Sequence, residues 1–186
     1  KFFYEERRFR ADSGILKIFT YEFLEGDPAT ALSKPDNVII TKKLATKYFG
    51  EESPIGKNLE VGESDDRLKV VTAVIKDLPE NSHFHFDLLL AMPARASEWN
   101  TNWGWYNWYT YIKLKPGASI AEVDKKIIDV FKKNNPESKT RYYTQALTNI
   151  HLQSNLKWEL EPNGNITFVN IFIIVGIFIL LIASIN

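Results

Sequence analysis

The last 25 residues, Pro162 to Asn186, carry no charged side chain, and within them Ile166–Ile185 is 20 residues long and almost wholly apolar. At a rise of about 1.5 Å per residue, such a helix is about 30 Å long, the thickness of a bilayer's hydrocarbon core. Its polar interruptions are Thr167, Asn170 and Ser184, whose side chains can bond back to a helical backbone or across to a neighbouring helix. Gly176 is tolerated in a membrane helix more easily than in a soluble one. The rival reading is the core helix of a soluble domain, but core helices rarely stay apolar on every face for about five turns. The sequence therefore predicts a transmembrane helix over residues 166–186, with residues 1–165 held outside the lipid.

All 23 Lys and Arg and all 23 Asp and Glu lie before Pro162, so that body is strongly charged yet neutral overall. Neutrality removes the electrostatic case for nucleic acid and disfavours a surface that clings to anionic lipid. Absence of cysteine excludes a disulfide framework, thiol catalysis and zinc-thiolate sites. The chain opens at Lys1 without an initiator Met and stops at Asn186 as the apolar run ends, which suits an excised piece of a longer membrane protein. A long folded domain crosses a membrane largely regardless of its charge, so the positive-inside rule gives no orientation.

Along the body, Phe2–Arg10 and Ile15–Leu24 are aromatic-rich stretches split by the Asp12-Ser13-Gly14 turn, predicting a strand and then a strand or short helix. Asn37–Ile40 is a β-branched run. Thr41 is placed to cap a helix whose Leu44, Ala45, Tyr48 and Phe49 share one face, and Gly50 is placed to end it. Lys57–Val61 and Leu68–Ile75 read as hairpin strands, the second buried on both faces. Phe84–Leu88 leads into a further strand, and Tyr109–Leu114 reads as a strand stopped by Pro116-Gly117. Ser119 and Glu122 form a capping box before a helix with Val123, Ile127, Val130 and Phe131 on one face. A last strand is expected near Ala146–Leu152, and a polar run over Asn155–Asn165 joins it to the apolar segment.

Candidate chemistry is sparse. Gly50 to Asn58 imitates a phosphate-binding loop, but five residues separate its glycines instead of four. Asn58 also stands where a magnesium-ligating hydroxyl belongs, and Pro54 removes a backbone donor. His83 and His85, two apart, would share a face in a strand and could share a metal with His151 or Asp87; the plainer expectation is the solvent face of a half-buried strand. No nucleophile–histidine–acid set can be assembled around them. Glu51/Glu52 and Asp65/Asp66 lie in polar loops where nothing raises a carboxyl pKa. Neither a catalytic residue nor a cofactor or metal site is assigned, and the chain reads as a non-enzyme. Trp99, Trp103, Trp105 and Trp108, with Tyr106, put four of the five tryptophans into ten residues. Rings of this kind dominate many contact surfaces. These five are the candidate partner or substrate contact, with a packing role over the sheet as the alternative.

The order of motifs resembles a known family. Gly26-Asp27-Pro28-Ala29-Thr30-Ala31-Leu32 precedes Asn37–Gly50, then Pro54-Ile55-Gly56-Lys57, then Val71-Thr72-Ala73-Val74 running on to His83. Leu114-Lys115-Pro116-Gly117-Ala118 and Ile182-Ala183-Ser184-Ile185-Asn186 follow. Together they are similar to the periplasmic core domain, and the start of the second membrane helix, of MacB/FtsX-type ABC transporter permeases. Ala73 departs from the glycine expected there, which should matter little unless the backbone has positive φ. The resemblance implies an α+β fold: a porter-like α/β part that includes Tyr109–Leu152, interrupted by a mostly β insertion over about residues 36–108. It further implies a periplasmic body over residues 1–165 on the cell inner membrane, a cytoplasmic ABC ATPase, a second permease copy, and a membrane-fusion or lipoprotein partner. The function that follows is coupling of ATP hydrolysis to export or mechanical signalling; the rival to it is a ligand-sensing ectodomain of a membrane receptor, with the tryptophan segment as its ligand site.

Overall fold

The computed structural model describes residues 7–62, 68–93, 102–104 and 107–186. By internal contacts it divides into two compact units, residues 1–142 and 143–186. The first is built on a mixed six-stranded sheet of β1 (Arg8–Ala11), β2 (Phe23–Gly26), β3 (Asn37–Thr41), β4 (Asn58–Glu60), β5 (Leu68–Ile75) and β6 (Leu88–Ala91). Spatial order is β1-β6-β3-β5-β2, with β4 also on β5. β1 runs parallel to β6 and β3 parallel to β5, whereas β3/β6, β2/β5 and β4/β5 are antiparallel. A central strand is covered on both faces, which is why β3 and β6 read as unbroken apolar runs and are buried at every position.

One face of the sheet is covered by α2 (Lys42–Phe49). Val38 and Ile40 of β3 and Leu88 and Leu90 of β6, each pair two apart, meet Leu44 and Ala45 of the helix there. The expected caps are present. Thr41 Oγ1 accepts from the Leu44 N–H at 3.3 Å, and Gly50 leaves the helix with φ of +65°. Asp77 adds a second tie, its Oδ1 accepting from the Lys43 N–H at 2.9 Å. The opposite face takes a less regular cover: α1 (Ile15–Ile18), the 27–36 loop that buries Ala31 and Leu32, and an aromatic cluster around Phe84 and Phe86.

Two sequence expectations fail. Tyr109–Leu114 forms no strand among the described residues, and Tyr109, Ile112 and Leu114 are exposed. Aromatic and β-branched composition favours a strand only where a ladder partner lies alongside. Ala146–Leu152 is instead α4 (Leu147–Gln153), with Ala146 at its N-cap. Leu147 and Ile150 sit three apart, a helical spacing that the short alternation of Ile150 and Leu152 obscured.

Beyond the sheet, α3 (Ile120–Asn134) starts at Ser119, whose Oγ accepts from the Glu122 N–H at 3.4 Å. The second unit holds α4 and α5 (Ile166–Ile185). α5 has a mean hydropathy of 3.0 and no residue buried inside the protein, so it is a candidate membrane span and not a soluble core helix. Asn165 caps it, its Oδ1 accepting from the Thr167 N–H at 2.8 Å, and the Ser184 hydroxyl donates back to the Leu180 carbonyl at 2.7 Å. The protein is α+β with a mixed sheet.

Candidate functional site

Three of the motifs singled out in the sequence, Gly26–Leu32, Asn37–Gly50 and Pro54–Lys57, meet the fourth at one place in the sheet, the stretch Val71–Ala73 of β5. Val38 pairs with Val71 and Ile39 with Ala73, so Thr72 is the extra residue of a bulge. Its hydroxyl lies 2.7 Å from the Ala31 carbonyl and 3.1 Å from that of Val38, which fastens the 27–36 loop onto the bulge. On the other side Gly26, at φ of +89°, is pressed against the same turn of chain. A Cβ there would stand 2.3 Å from the Thr72 carbonyl and 2.8 Å from the Ala73 methyl. Only glycine fits, for its dihedral and for the space. Ala73 itself is buried without a positive φ, so its methyl is accommodated by the bare Gly26 opposite.

The turns at Asp27 and Gly56 flank this point. Asp27 folds the following turn, accepting from the Ala29 N–H at 2.9 Å. Gly56 donates to the Val71 carbonyl at 2.8 Å, and the Val71 N–H returns to Lys57 at 3.0 Å. The phosphate-loop lookalike is therefore a turn that pins β5, with Pro54 buried and Lys57 ion-paired to Glu52. That pairing, first through its hydrogen bond and then through charge, lowers the Glu52 pKa.

His83 and His85 do not share a strand face, because β6 begins only at Leu88. The His83 Nε2 lies 2.8 Å from the Tyr111 hydroxyl, and the His85 Nε2 lies 3.0 Å from the Pro79 carbonyl. The two rings bond to different partners. His83 belongs to the aromatic cover, where Phe84 meets Phe9 at 5.5 Å, Phe19 at 5.3 Å and Tyr111 at 6.1 Å between centroids. Tyr21 packs on Phe86 at 5.7 Å, and its buried hydroxyl has no hydrogen-bond partner among the described residues. Burial, and secondarily the charge of Tyr111, push the Tyr21 pKa upward.

Of the tryptophan-rich segment, Trp99, Trp105 and Tyr106 lie outside the described residues. Trp103 is half-buried, edge-on to Phe131 of α3 at 5.2 Å, and its carbonyl accepts from the Asn135 side chain at 3.3 Å. Phe131 stacks in turn on Tyr142 at 3.7 Å. Trp108 is exposed. The two described indoles thus divide, one holding α3 and one facing outward.

The fold held by this network, and its motifs, can be set against known proteins. The family model of the MacB-like periplasmic core domain matches residues 6–130. The chain belongs to that family. Among solved structures, a domain described as that of a permease protein from Porphyromonas gingivalis is 25% identical, with 83% of this chain and 72% of that one covered at a TM-score of 0.55. The extracellular domain of YknZ, a noncanonic ABC-type transporter from Gram-positive bacteria, shares the fold at 18% identity and a TM-score of 0.53, covering 77% of this chain and 74% of that one. No curated protein matches the chain. MacB-like periplasmic core domains are extracytoplasmic parts of ABC transporter permeases, which work with a cytoplasmic ABC ATPase.

Gly26, Asp27, Gly56, Thr72 and Asp77, described above, all lie within the matched residues. What they do here is hold the sheet and the first turn of α2. Sequence reasoning found these residues but not their convergence, because a bulge that leaves Thr72 unpaired gives no periodic signal.

Proposed function

We propose that this MacB-like domain is the coupling element of a permease subunit on the cell inner membrane, with residues 1–165 in the periplasm. It passes work from ATP hydrolysis by the cytoplasmic ATPase to substrate export or to a mechanical signal. The observation that supports this is the joint at the foot of α5. Ser154 is buried, and its hydroxyl bridges Gln145 at 3.3 Å and Glu159, tying the chain after α4 back to the segment before it. Gly164 lies against α4 so closely that a Cβ would meet Leu152 Cδ2 at 3.0 Å. Within this unit the residues that lead into α5 lie against the end of α4, so that in this reading a tilt of α5 is passed through this short joint to α4.

In this reading a second permease copy completes the assembly. The segment holding Trp99, Trp103, Trp105, Tyr106 and Trp108 offers the contact for substrate or for a membrane-fusion or lipoprotein partner. The exposed Trp108 is the better probe, since Trp103 also packs on Phe131. Insertion of a flexible Gly-Ser segment after Asn163 in the full permease tests the proposal. ATP hydrolysis should continue while transport or signalling falls at least several-fold. Unchanged output from that variant would remove the basis for coupling through the joint.

A further inference from the structure

The joint also encloses a groove of about 720 Å³, lined by residues of the 152–166 segment. Trp158 and Ile166, the first residue of α5, line the same groove, so the indole stands beside the start of the apolar helix. Trp158 is 85% exposed and holds a φ of +65°. A bulky residue in the left-handed region is strained, and strain of this sort concentrates where a side chain is presented for a purpose. Leu156, 52% exposed, lies two residues before it. An indole at the mouth of a membrane helix belongs at headgroup level, where its apolar ring and polar N–H are both accommodated.

The charges of the groove select among headgroups. The charged side chains lining it are Glu159 and Glu161, both carboxylates, which disfavours a purely anionic ligand. Carboxylates with an exposed indole suit an ammonium group, held by charge and by the face of the ring. Asn163 also lines the groove, and its buried Nδ2 has no hydrogen-bond partner among the described residues, a donor left without an acceptor. Ammonium and phosphate oxygen occur together in one class of membrane molecule.

We propose that the groove at the foot of α5 is a binding site for the headgroup of a zwitterionic phospholipid, with Trp158 as its interfacial anchor. The carboxylates of Glu159 and Glu161 face the ammonium, and the Asn163 amide meets the phosphate. The site holds the joint at a fixed depth against the bilayer. This inference rests on the reading of α5 as a membrane span, and the test separates the two.

Because the chain has no cysteine, single labels can be placed without background. The whole chain is reconstituted in phosphatidylcholine nanodiscs with a spin label at Val175→Cys, Leu156→Cys or Lys139→Cys, and depth is read from collision with oxygen and with a water-soluble nickel complex. The label at 175 should sit in hydrocarbon, that at 156 at headgroup depth and that at 139 in water. Trp158→Ala should move the label at 156 toward water while leaving that at 175 in place. Native mass spectrometry from micelles holding equal phosphatidylcholine and phosphatidylglycerol should show the choline lipid retained several-fold over the glycerol lipid, a preference lost in Trp158→Ala and in Glu161→Gln. A label at 156 as water-exposed as that at 139, with 175 in lipid, overturns the anchor and leaves the span standing. Water exposure at both 156 and 175 overturns both. Equal retention of the two lipids overturns the headgroup chemistry.

Discussion

Both faces of the sheet bury apolar side chains, and they are covered by different means. On one side an eight-residue helix lays Leu44 and Ala45 on Val38, Ile40, Leu88 and Leu90, an aliphatic contact with both helix ends capped. On the other, short irregular segments bring Phe9, Phe19, Tyr21, Phe84, Phe86 and Tyr111 together ring against ring. The helix satisfies its own backbone and needs only a stripe of apolar side chains. The irregular cover depends on large rings to bury area from chain that has no ladder of its own, and each ring's polar end must then find a partner. Tyr111 finds His83; Tyr21 finds none among the described residues.

The largest effects should come from truncating the centre of each cover. Phe84→Ala removes a 5% exposed ring that touches five others and should cost about 3–5 kcal/mol, while Leu44→Ala should cost about 2–5 kcal/mol. Chemical denaturation of the chain in detergent, followed by near-ultraviolet circular dichroism, measures both. A loss below about 1 kcal/mol for Phe84→Ala would show that the aromatic side is a loose flap, and the likeness between the faces would be gone.

This contrast also explains what could be read in advance. α2 was legible to the residue because its signals are local: a hydroxyl at Thr41, apolar residues three and four apart, a glycine at position 50. The same holds for Ser119 and α3, and for α5, whose composition alone set its limits at Ile166 and Ile185. The aromatic cover was not legible. Tyr109–Leu114 has the composition of a strand, yet Tyr111 is taken by His83 and by the Phe19 ring at 5.1 Å, contacts between residues 28 and 92 positions apart. Sequence pattern has no access to pairings at that separation when neither partner lies in a periodic element. The candidate site divides in the same way. Density of tryptophan marked the segment, but only the packing of Phe131 separates Trp103 from the outward-facing Trp108.

A smaller effect distinguishes the faces by chemistry. Tyr21→Phe deletes a buried hydroxyl that lacks a partner and should stabilise the protein by about 1 kcal/mol or leave it unchanged, where most buried polar deletions destabilise. The pH dependence has a definite sign. Burial raises the Tyr21 pKa in the folded chain, so above the ordinary tyrosine value of about 10 the unfolded chain releases this proton while the folded one keeps it. The unfolded state then binds fewer protons, and stability falls as pH rises beyond that point. Tyr21→Phe should flatten the alkaline limb of the stability profile. An identical slope in the variant would place the hydroxyl in water after all.

The smallest effect is expected outside both covers, at the ion pair of Glu52 and Lys57. The hydrogen bond from Lys57 lowers the Glu52 pKa, so the pairing contributes above the unfolded carboxyl value and fades as pH drops through the folded one. Both groups meet solvent, where water screens the attraction and side-chain ordering offsets it. Lys57 also stands 5.3 Å above the Phe49 ring, so its own truncation mixes two losses. Glu52→Gln removes the charge alone and should leave the unfolding midpoint unchanged at neutral pH. Carbon-detected titration of Glu52 should show its midpoint returning upward in Lys57→Ala. A destabilisation by Glu52→Gln as large as that of Leu44→Ala would mean that the turn pinning β5, and not the packed sheet faces, governs the stability of this domain.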